Sequence, residues 1–316
     1  MAQIQGGAYF ASLKDAVNAA QAGDTVRMIA NETADANKTS TDDRLVVTKA
    51  ITIDFGAYTY SVPGSLEPTS NWCAIYIDAD TTVTGTTGGV DCLDKEDPSD
   101  KCGVYAFNVR EGAKLTIEGG HYHGGGTIVQ AQLGTVEIKG GTFTVTPFDA
   151  PYGTDFAFNC VDANYQAGNA GFSIDGGTFV GFDPQDNKSE GAGTDYTADG
   201  YVAIDDGTGT FTVEEGYVIT FADYNGTVLE TQRVKKGETP VPPADPTRAD
   251  DVVEAATSTT VTRYAFDGWT VAVATEDVTY TATYTPTETV TNYVAQIVGG
   301  FQNTESLRSL TTVCWR

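Results

Sequence analysis

The chain has 316 residues, with 43 acidic and 18 basic residues and a net charge of −25. A surface this acidic repels nucleic acid and anionic membranes, so we exclude both as partners. Only 19% of the residues are charged and glycine is abundant, which is typical of an ordered, turn-rich β protein. No apolar run approaches the roughly 20 residues that a membrane-spanning helix needs, so we expect no membrane insertion. The first residues do not resemble a signal peptide.

The first predicted element is a helix from Ser12 to Gly23. Ser12, with Asp15 three residues later, is a typical helix start, and Gly23 is a stop signal. We expect this short N-terminal helix to cap the exposed end of a core formed by the strands that follow it. Its apolar residues recur at helical spacing and form one face: Leu13, Ala16, Val17 and Ala20.

A short pattern then recurs along the chain. Two apolar residues stand one apart, as in a strand, and a glycine pair, a small residue and an aromatic residue follow. The clearest copies are LTIEGGHY from Leu115, VEIKGGTF from Val136 and FSIDGGTF from Phe172. Looser copies begin at residues 51, 83 and 211.

The spacing of these copies predicts a β-solenoid. The copies at 115 and 136 are 21 residues apart, which is enough for three short strands and three turns. Each such coil would hydrogen-bond to the next and bury its apolar residues against its neighbours. Cys160 occupies a coil position that Val109 fills elsewhere, so we expect a buried, inert thiol. The predicted core ladder consists of Ile53, Leu115, Ile117, Val136, Ile138, Phe172 and Ile174.

Long insertions separate some of the copies, at 88–103, 146–156 and 182–200. We expect them to project from one side of the solenoid, because insertions commonly occupy the same turn of successive coils. Surface loops on a rigid scaffold often carry recognition, and aromatic residues beside acidic groups suit a sugar ligand. Partial burial of the same side chains as loop anchors is the alternative. The candidate ligand-binding residues are Phe148, Tyr152, Phe182 and Tyr196.

Five cysteines leave at least one unpaired. A disulfide between Cys92 and Cys102 would close the insertion that contains both, and pairing of Cys73 with Cys102 is the competing choice. The acidic loop 91–100 suggests calcium, but its ligand spacing does not match an EF-hand, so we interpret it as a solvated loop. We therefore predict no cofactor, with calcium at this loop as the alternative.

Two further groups could suggest catalysis or metal binding. Asp205 and Asp206 are adjacent, but they fall in a predicted turn with no histidine or arginine nearby in sequence. His121 and His123 share the solvent face of a strand if Tyr122 points inward, and no third metal ligand is evident. We therefore assign neither a catalytic residue nor a metal site, and we favour a protein without enzymatic activity.

The composition changes near residue 216, where a second region begins. Val218–Leu229 is a predicted hairpin with an Asn-Gly turn, and Val278–Tyr284 is an alternating strand. We expect a β-solenoid domain at 1–215, a small β domain at 216–287, and a segment at 288–316. Residues 295–300 (AQIVGG) repeat residues 2–7 (AQIQGG), so this last segment is interpreted as a linker and the truncated start of a further repeat.

Two regions resemble known families. Residues 1–215, a capping helix followed by stacked coils, resemble right-handed parallel β-helices of the pectin-lyase-like superfamily. Residues 217–286 resemble the Listeria–Bacteroides repeat, an internalin-type B repeat, although they carry a longer insertion before Phe266. That resemblance implies a β-grasp-like module used as a spacer or ligand-binding unit in bacterial surface proteins. The matching segments are Asp223–Leu229, Gly237–Pro243, Phe266–Trp269 and Tyr280–Tyr284.

These observations favour an all-β, non-catalytic module of a bacterial surface protein. We expect an extracellular or cell-surface adhesin or stalk that binds a glycan or a surface protein through loops of the β-helix. Neighbouring repeat units of a longer array would be further partners. One alternative is a polysaccharide lyase or glycoside hydrolase on the same fold, and a second is a phage fibre or capsid decoration protein.

Overall fold

The computed structural model describes residues 1–34, 44–62, 73–92, 105–145 and 153–294. Almost all of the regular structure in these ranges is strand, as the composition predicts. Neither of the helices found there has the length and apolar character of a bilayer span.

The helices and strands follow one another in a regular order. The elements up to residue 62 are β1 (Ala2–Ile4), β2 (Tyr9–Phe10), α1 (Leu13–Ala19), β3 (Thr25–Met28), β4 (Glu32–Thr33), β5 (Leu45–Val47), β6 (Ile51–Asp54) and β7 (Thr59–Val62). The next are β8 (Cys73–Ile77), β9 (Thr81–Thr84), β10 (Gly89–Cys92), β11 (Tyr105–Val109), β12 (Ala113–Ile117), β13 (His121–Gly124), β14 (Val129–Ala131), β15 (Gly134–Ile138) and β16 (Thr142–Val145). The last are β17 (Phe158–Cys160), α2 (Asp162–Gln166), β18 (Ala170–Ile174), β19 (Thr178–Val180), β20 (Tyr201–Asp205), β21 (Thr210–Ala222), β22 (Val228–Lys235), β23 (Asp251–Ala255), β24 (Ser258–Phe266), β25 (Val278–Thr281) and β26 (Tyr284–Tyr293).

From β3 to β19 the strands are distributed in turn among three parallel sheets. The first sheet runs β3-β6-β9-β12-β15-β18, the second β4-β7-β10-β13-β16-β19, and the third β5-β8-β11-β14-β17. Each strand therefore pairs in parallel with the strand three positions later in the chain. Three strands and their turns are the unit that the sequence repeats indicated.

The pairing register confirms the predicted ladder. Leu115 pairs with Val136, which pairs with Phe172, and the rung two residues later joins Ile117, Ile138 and Ile174. All of these side chains are buried except Phe172, which is partly buried against the core. The repeated apolar residues thus form the core because each stands directly above its equivalent in the next strand.

The glycine pair of each copy makes the turn from the first sheet to the second. Its second glycine has a φ of 110° at Gly120, 111° at Gly141 and 103° at Gly177. Residues with a Cβ rarely adopt this conformation, whereas glycine does so readily. The turn therefore requires glycine at this position. The aromatic residue that follows belongs to a strand of the second sheet, and its side chain is buried in the core.

The N-terminal end of the stack is covered as predicted. Ser12 is the N-cap of α1, where its Oγ accepts a hydrogen bond from the backbone N–H of Asp15 at 3.0 Å. The helix buries Leu13, Ala16 and Val17, but it ends at Ala19, before the predicted stop at Gly23. It lies beside β1, which adds antiparallel to β3.

At the other end, one sequence expectation is wrong. The copy at Phe211 does not continue the parallel stack, because β21 runs antiparallel to β19 and pairs Phe211 with Phe179. β20 then pairs antiparallel with β21. β21 also runs without interruption through Gly216, so the domain boundary expected at 215–216 falls inside a strand.

The chain divides into two compact units. The first comprises Met1–Thr220, Glu230–Val241 and Val271–Thr279, and the second comprises Phe221–Leu229, Pro242–Thr270 and the chain from Tyr280. The second contains the sheet β23-β24-β26. Its aromatic cluster is centred on Phe221, whose ring lies 5.1 Å from that of Trp269 and 5.5 Å from that of Tyr280.

Candidate functional site

The outward surface of the third sheet carries a continuous row of large polar side chains. Along β8, β11, β14 and β17 the register aligns Tyr76, Asn108, Gln130 and Asn159. These side chains alternate along each strand with core residues, so they lie on the other side of the sheet, where Tyr76 and Asn108 are covered and Gln130 and Asn159 are half-buried. We call this surface the amide face, and it comprises Tyr76, Asn108, Gln130 and Asn159 together with Asp78, Arg110 and Gln132.

An ion pair orders one end of the amide face. The Nε and Nη2 of Arg110 each donate a hydrogen bond to Asp78, at 2.8 Å. The same guanidinium lies 4.3 Å from the centre of the Tyr76 ring, and that of Arg44 lies 5.1 Å from it. Partial burial acts to lower the pKa of Arg110, but the hydrogen bonds to Asp78 outweigh it and the pKa is raised. Both carboxylate oxygens of Asp78 are therefore engaged by one guanidinium.

The amide groups further along the face form a hydrogen-bonded chain. Asn108 is buried, and its Nδ2 donates to Oε1 of Gln132 at 3.2 Å. The backbone carbonyl of Gln132 in turn accepts from the side chain of Asn164. Gln130 and Asn159 are half-buried and border this chain. The accessible amides of the face therefore include those of Gln130 and Asn159, beside the buried amide of Asn108.

The insertions predicted from the sequence do not all occupy the same turn of the repeat. The segments 35–43, 63–72, 93–104 and 146–152 each connect a strand of the second sheet to a strand of the third. The predicted insertions at 88–103 and 146–156 fall at this connection, whereas the one at 182–200 leads from β19 to β20 within the second sheet, so the shared turn holds for only two of the three. Phe148 and Tyr152 belong to these segments and lie outside the described residues, so their ligand-binding role stays a prediction.

Phe182 and Tyr196 need a correction, because their side chains are in the core. They are only 4% and 2% exposed. The Phe182 ring lies 5.1 Å from that of Phe158, and the Tyr196 ring lies 4.8 Å from that of Phe172. The segment 181–200 therefore covers the last coil, and these two aromatic residues are its anchors. Neither Phe182 nor Tyr196 is therefore a candidate ligand-binding residue.

The described cysteines are buried and make no disulfide. Cys73, Cys92 and Cys160 are free thiols, whereas Cys102 lies outside the described ranges, so its pairing with Cys92 stays a prediction. Burial, with a smaller contribution from Glu190, raises the pKa of the Cys160 thiol to about 12. A thiol of this pKa is protonated at neutral pH, which confirms the inert role expected for Cys160.

The other titratable groups considered from the sequence have structural roles. His123 Nδ1 lies 2.9 Å from Oδ1 of Asp91 on the outer surface of the second sheet, and His121 is exposed beside it. Asp205 and Asp206 accept hydrogen bonds from backbone N–H groups of the turn between β20 and β21. Across the described ranges no group of three or more acidic, histidine or cysteine side chains could hold a metal ion. The acidic loop proposed for calcium falls mostly outside those ranges.

The amide face carries little signal in the sequence. The aligned position holds a tyrosine and three amides from segments far apart in the sequence, and Asp78 and Arg110 are 32 residues apart. The signal that could have located it is the polar position immediately before the last apolar residue of each third-sheet strand. No family model, curated protein or solved structure matches this chain.

Proposed function

We propose that the chain is a non-catalytic, extracellular module of a bacterial surface protein that binds a glycan through the amide face. We also propose that its three parallel sheets form a right-handed parallel β-helix. The regular three-strand cycle and the continuous register of the ladder support this interpretation, as does the resemblance drawn from the sequence.

The observation that carries the proposal is the row of amides on the third sheet. A side-chain amide offers both donors and an acceptor, so it can pair with two neighbouring hydroxyls of a sugar. Gln130 and Asn159 lie on strands about 4.8 Å apart, so their groups repeat along the stack, as the hydroxyls of a polymer do. The net charge of −25 disfavours polyanionic ligands and favours a neutral or cationic glycan.

Binding is favoured over hydrolysis by the contacts that Asp78 makes. Most glycosidases place two carboxyl groups on either side of the scissile bond, and one of them must be able to donate a proton. Asp78 is the single carboxyl group of the amide face, and both of its oxygens accept hydrogen bonds from Arg110. A lyase or hydrolase is the competing function, and it predicts that a bound glycan is cleaved.

For the second compact unit we propose a spacer that resembles the Listeria–Bacteroides repeat. The aromatic residues that carry this resemblance pack together, since the ring of Phe266 lies 5.2 Å from that of Trp269 and 5.7 Å from that of Tyr284. A small domain with such a cluster keeps its shape without a large core.

A glycan array probed with the purified chain tests the proposed binding. We expect at least one neutral or amino-substituted glycan to bind, and the double substitution Gln130→Ala with Asn159→Ala to weaken it about tenfold, since each hydrogen bond contributes roughly 0.5–1.5 kcal/mol. Thr144→Ala, on the exposed surface of the second sheet, is the matched control and should bind as the parent does.

Two results would count against the proposal. Unchanged binding by the double variant would remove the amide face from the site. Release of new reducing or unsaturated ends from the bound glycan would show catalysis instead.

A further inference from the structure

A groove of about 270 Å³ lies on the outer surface of the first sheet, apart from the amide face. It crosses successive strands of the stack and runs along the stacking direction. We call it the threonine groove, and it is lined by Gly23, Ala50, Ile51, Thr52, Asp80, Thr81, Thr82, Lys114 and Thr116.

Two parallel rows of residues shape the groove. Thr52, Thr82 and Thr116 stand in register on β6, β9 and β12 and form one side. In the adjacent row, Gly23 meets Ala50, since the N–H of Gly23 donates to the carbonyl oxygen of Ala50 at 2.8 Å. These two small residues leave the space that larger side chains fill further along.

Asp80 and Lys114 are the charged residues that line the groove. Oδ1 of Asp80 accepts a hydrogen bond from the backbone N–H of Lys114 at 2.9 Å, which fixes the carboxylate. The ammonium of Lys114 turns away to Glu137, at 2.8 Å, and so does not neutralise Asp80 directly. No hydrogen bond or ion pair within the described ranges engages the other carboxylate oxygen of Asp80.

The hydroxyls of Thr52, Thr82 and Thr116 likewise make no hydrogen bond within the part of the chain that the structure describes, whereas that of Thr81 donates to the carbonyl oxygen of Ala79. All three side chains are half-buried, so their hydroxyls are held by the sheet and remain accessible. They repeat at the strand spacing of about 4.8 Å, and each offers one donor and two acceptor positions. The groove therefore combines a fixed carboxylate acceptor with a ladder of hydroxyls.

We propose that the threonine groove is a second binding site, for the sugar units of a neutral glycan. The Asp80 carboxylate accepts hydrogen bonds from ligand hydroxyls, and the threonines donate to and accept from the same chain of hydroxyls. Asp80 and the nearby Glu137 repel anionic groups, which excludes acidic polysaccharides. The inference does not depend on the proposed function, because it rests on a different sheet and on different side chains.

Titration of the ¹⁵N-labelled chain with cellohexaose and with maltohexaose, followed by backbone amide shifts, tests the proposal. We expect saturable shifts at Thr52, Thr82 and Thr116 with at least one of the two. Ala50→Leu fills the groove from an exposed position and should weaken binding at least tenfold. Thr135→Leu makes a similar change in the same row of the sheet, outside the groove, and should leave binding unchanged.

Asp80→Asn removes the negative charge and keeps the shape of the side chain. The amide oxygen can still accept a hydrogen bond from the backbone N–H of Lys114, while an NH₂ donor replaces the second carboxylate oxygen. We expect it to weaken binding about tenfold with the fold intact. The proposal is wrong if neither hexasaccharide shifts these residues at saturating concentration, or if Ala50→Leu binds as tightly as Thr135→Leu. Loss of binding in the Gln130 and Asn159 double variant alone would concern the amide face and not the groove.

Discussion

Arg110 and Asp78 form a two-pronged ion pair between neighbouring strands of the third sheet, with both nitrogen–oxygen distances at 2.8 Å. Their side chains are 26% and 19% exposed, so water screens the pair only in part. The planar guanidinium also contacts the Tyr76 ring, at 4.3 Å from its centre. One arginine thereby fixes both a carboxylate and an aromatic ring at the edge of the amide face.

The first prediction concerns this ion pair. Arg110→Ala should lower the free energy of unfolding by roughly 1–3 kcal/mol, because it leaves a partly buried carboxylate without its donors. Arg110→Lys should restore less than half of the loss, since an ammonium cannot match both oxygens. Urea denaturation followed by circular dichroism measures both.

Lys188→Ala is the control for that experiment. Lys188 pairs with Asp155 at 3.6 Å, but its side chain is 69% exposed, so the change should stay within about 0.5 kcal/mol. Equal effects at Lys188 and Arg110 would mean that the Arg110 pair is as weak as a surface pair.

A second prediction concerns the register of the ladder. Ile138 is fully buried between Ile117 and Ile174, so Ile138→Ala should cost about 2–5 kcal/mol through lost burial and a cavity. Thr135→Ala, on the exposed side of the same strand, should change stability by less than about 0.5 kcal/mol. Thermal and urea unfolding measure the difference, and near-neutral stability of Ile138→Ala would contradict the register.

The ladder could be predicted from the sequence because its signal is local and repeated. Leu115, Val136 and Phe172 stand at the same place in three nearly identical segments, and stacking makes equal positions neighbours. The helix start at Ser12 could be predicted for a similar reason, since a cap depends on residues three positions apart.

A third prediction concerns Gly89 in the second sheet. A Cβ built there would lie 1.9 Å from the backbone oxygen of His121, so neither strand can accommodate it without moving. Gly89→Ala should therefore destabilise the chain by roughly 1–3 kcal/mol or more. At Gly171 the space is open and φ is not positive, so Gly171→Ala should be neutral or stabilising by up to about 1 kcal/mol. The urea midpoint of Gly89→Ala should lie below that of the parent, and the midpoint of Gly171→Ala should not. Equal midpoints for the two variants would contradict the strand pairing at Gly89.

The fourth prediction concerns the cover on the last coil. Phe182→Ala should cost about 3–5 kcal/mol, because the buried ring fills space against Phe158. Val180→Ala nearby, at a side chain 40% exposed, should have little effect. Below the unfolding transition, Phe182→Ala should bind glycan as the parent does. Weaker glycan binding by the folded variant would instead indicate that Phe182 contributes to the ligand site.

The fifth prediction concerns pH and the thiol of Cys160. Its pKa is raised from 9.0 to about 12 in the folded state, chiefly by burial, so folding favours the protonated thiol. The stability linked to this proton is fully present below about pH 9 and is lost as the pH rises from 9 towards 12. Iodoacetamide at pH 8, read by peptide mass spectrometry, should label Cys160 in urea but not in the native chain. Rapid native labelling would contradict the burial of Cys160.

The amide face and the cover at 181–200 could not be predicted because they depend on contacts between distant residues. An aromatic residue in a loop has the same sequence signature whether it anchors the loop to the core or contacts a ligand. The sequence therefore suggests a ligand-binding role for Phe182 and Tyr196, whose side chains are buried in the structure. The copy at Phe211 matches the pattern in its apolar spacing, yet spacing carries no information on strand direction. The direction of β21 follows only from its antiparallel pairing with β19.

The most direct test of the account follows the side-chain amides of Gln130 and Asn159 by NMR while a glycan selected on the array is added. The account predicts that both amide signals shift and saturate at the dissociation constant measured independently by calorimetry. Substitution of each residue in turn assigns the signals. If the chain is saturated with glycan and neither signal moves, the amide face is not the binding site and the proposed function is contradicted.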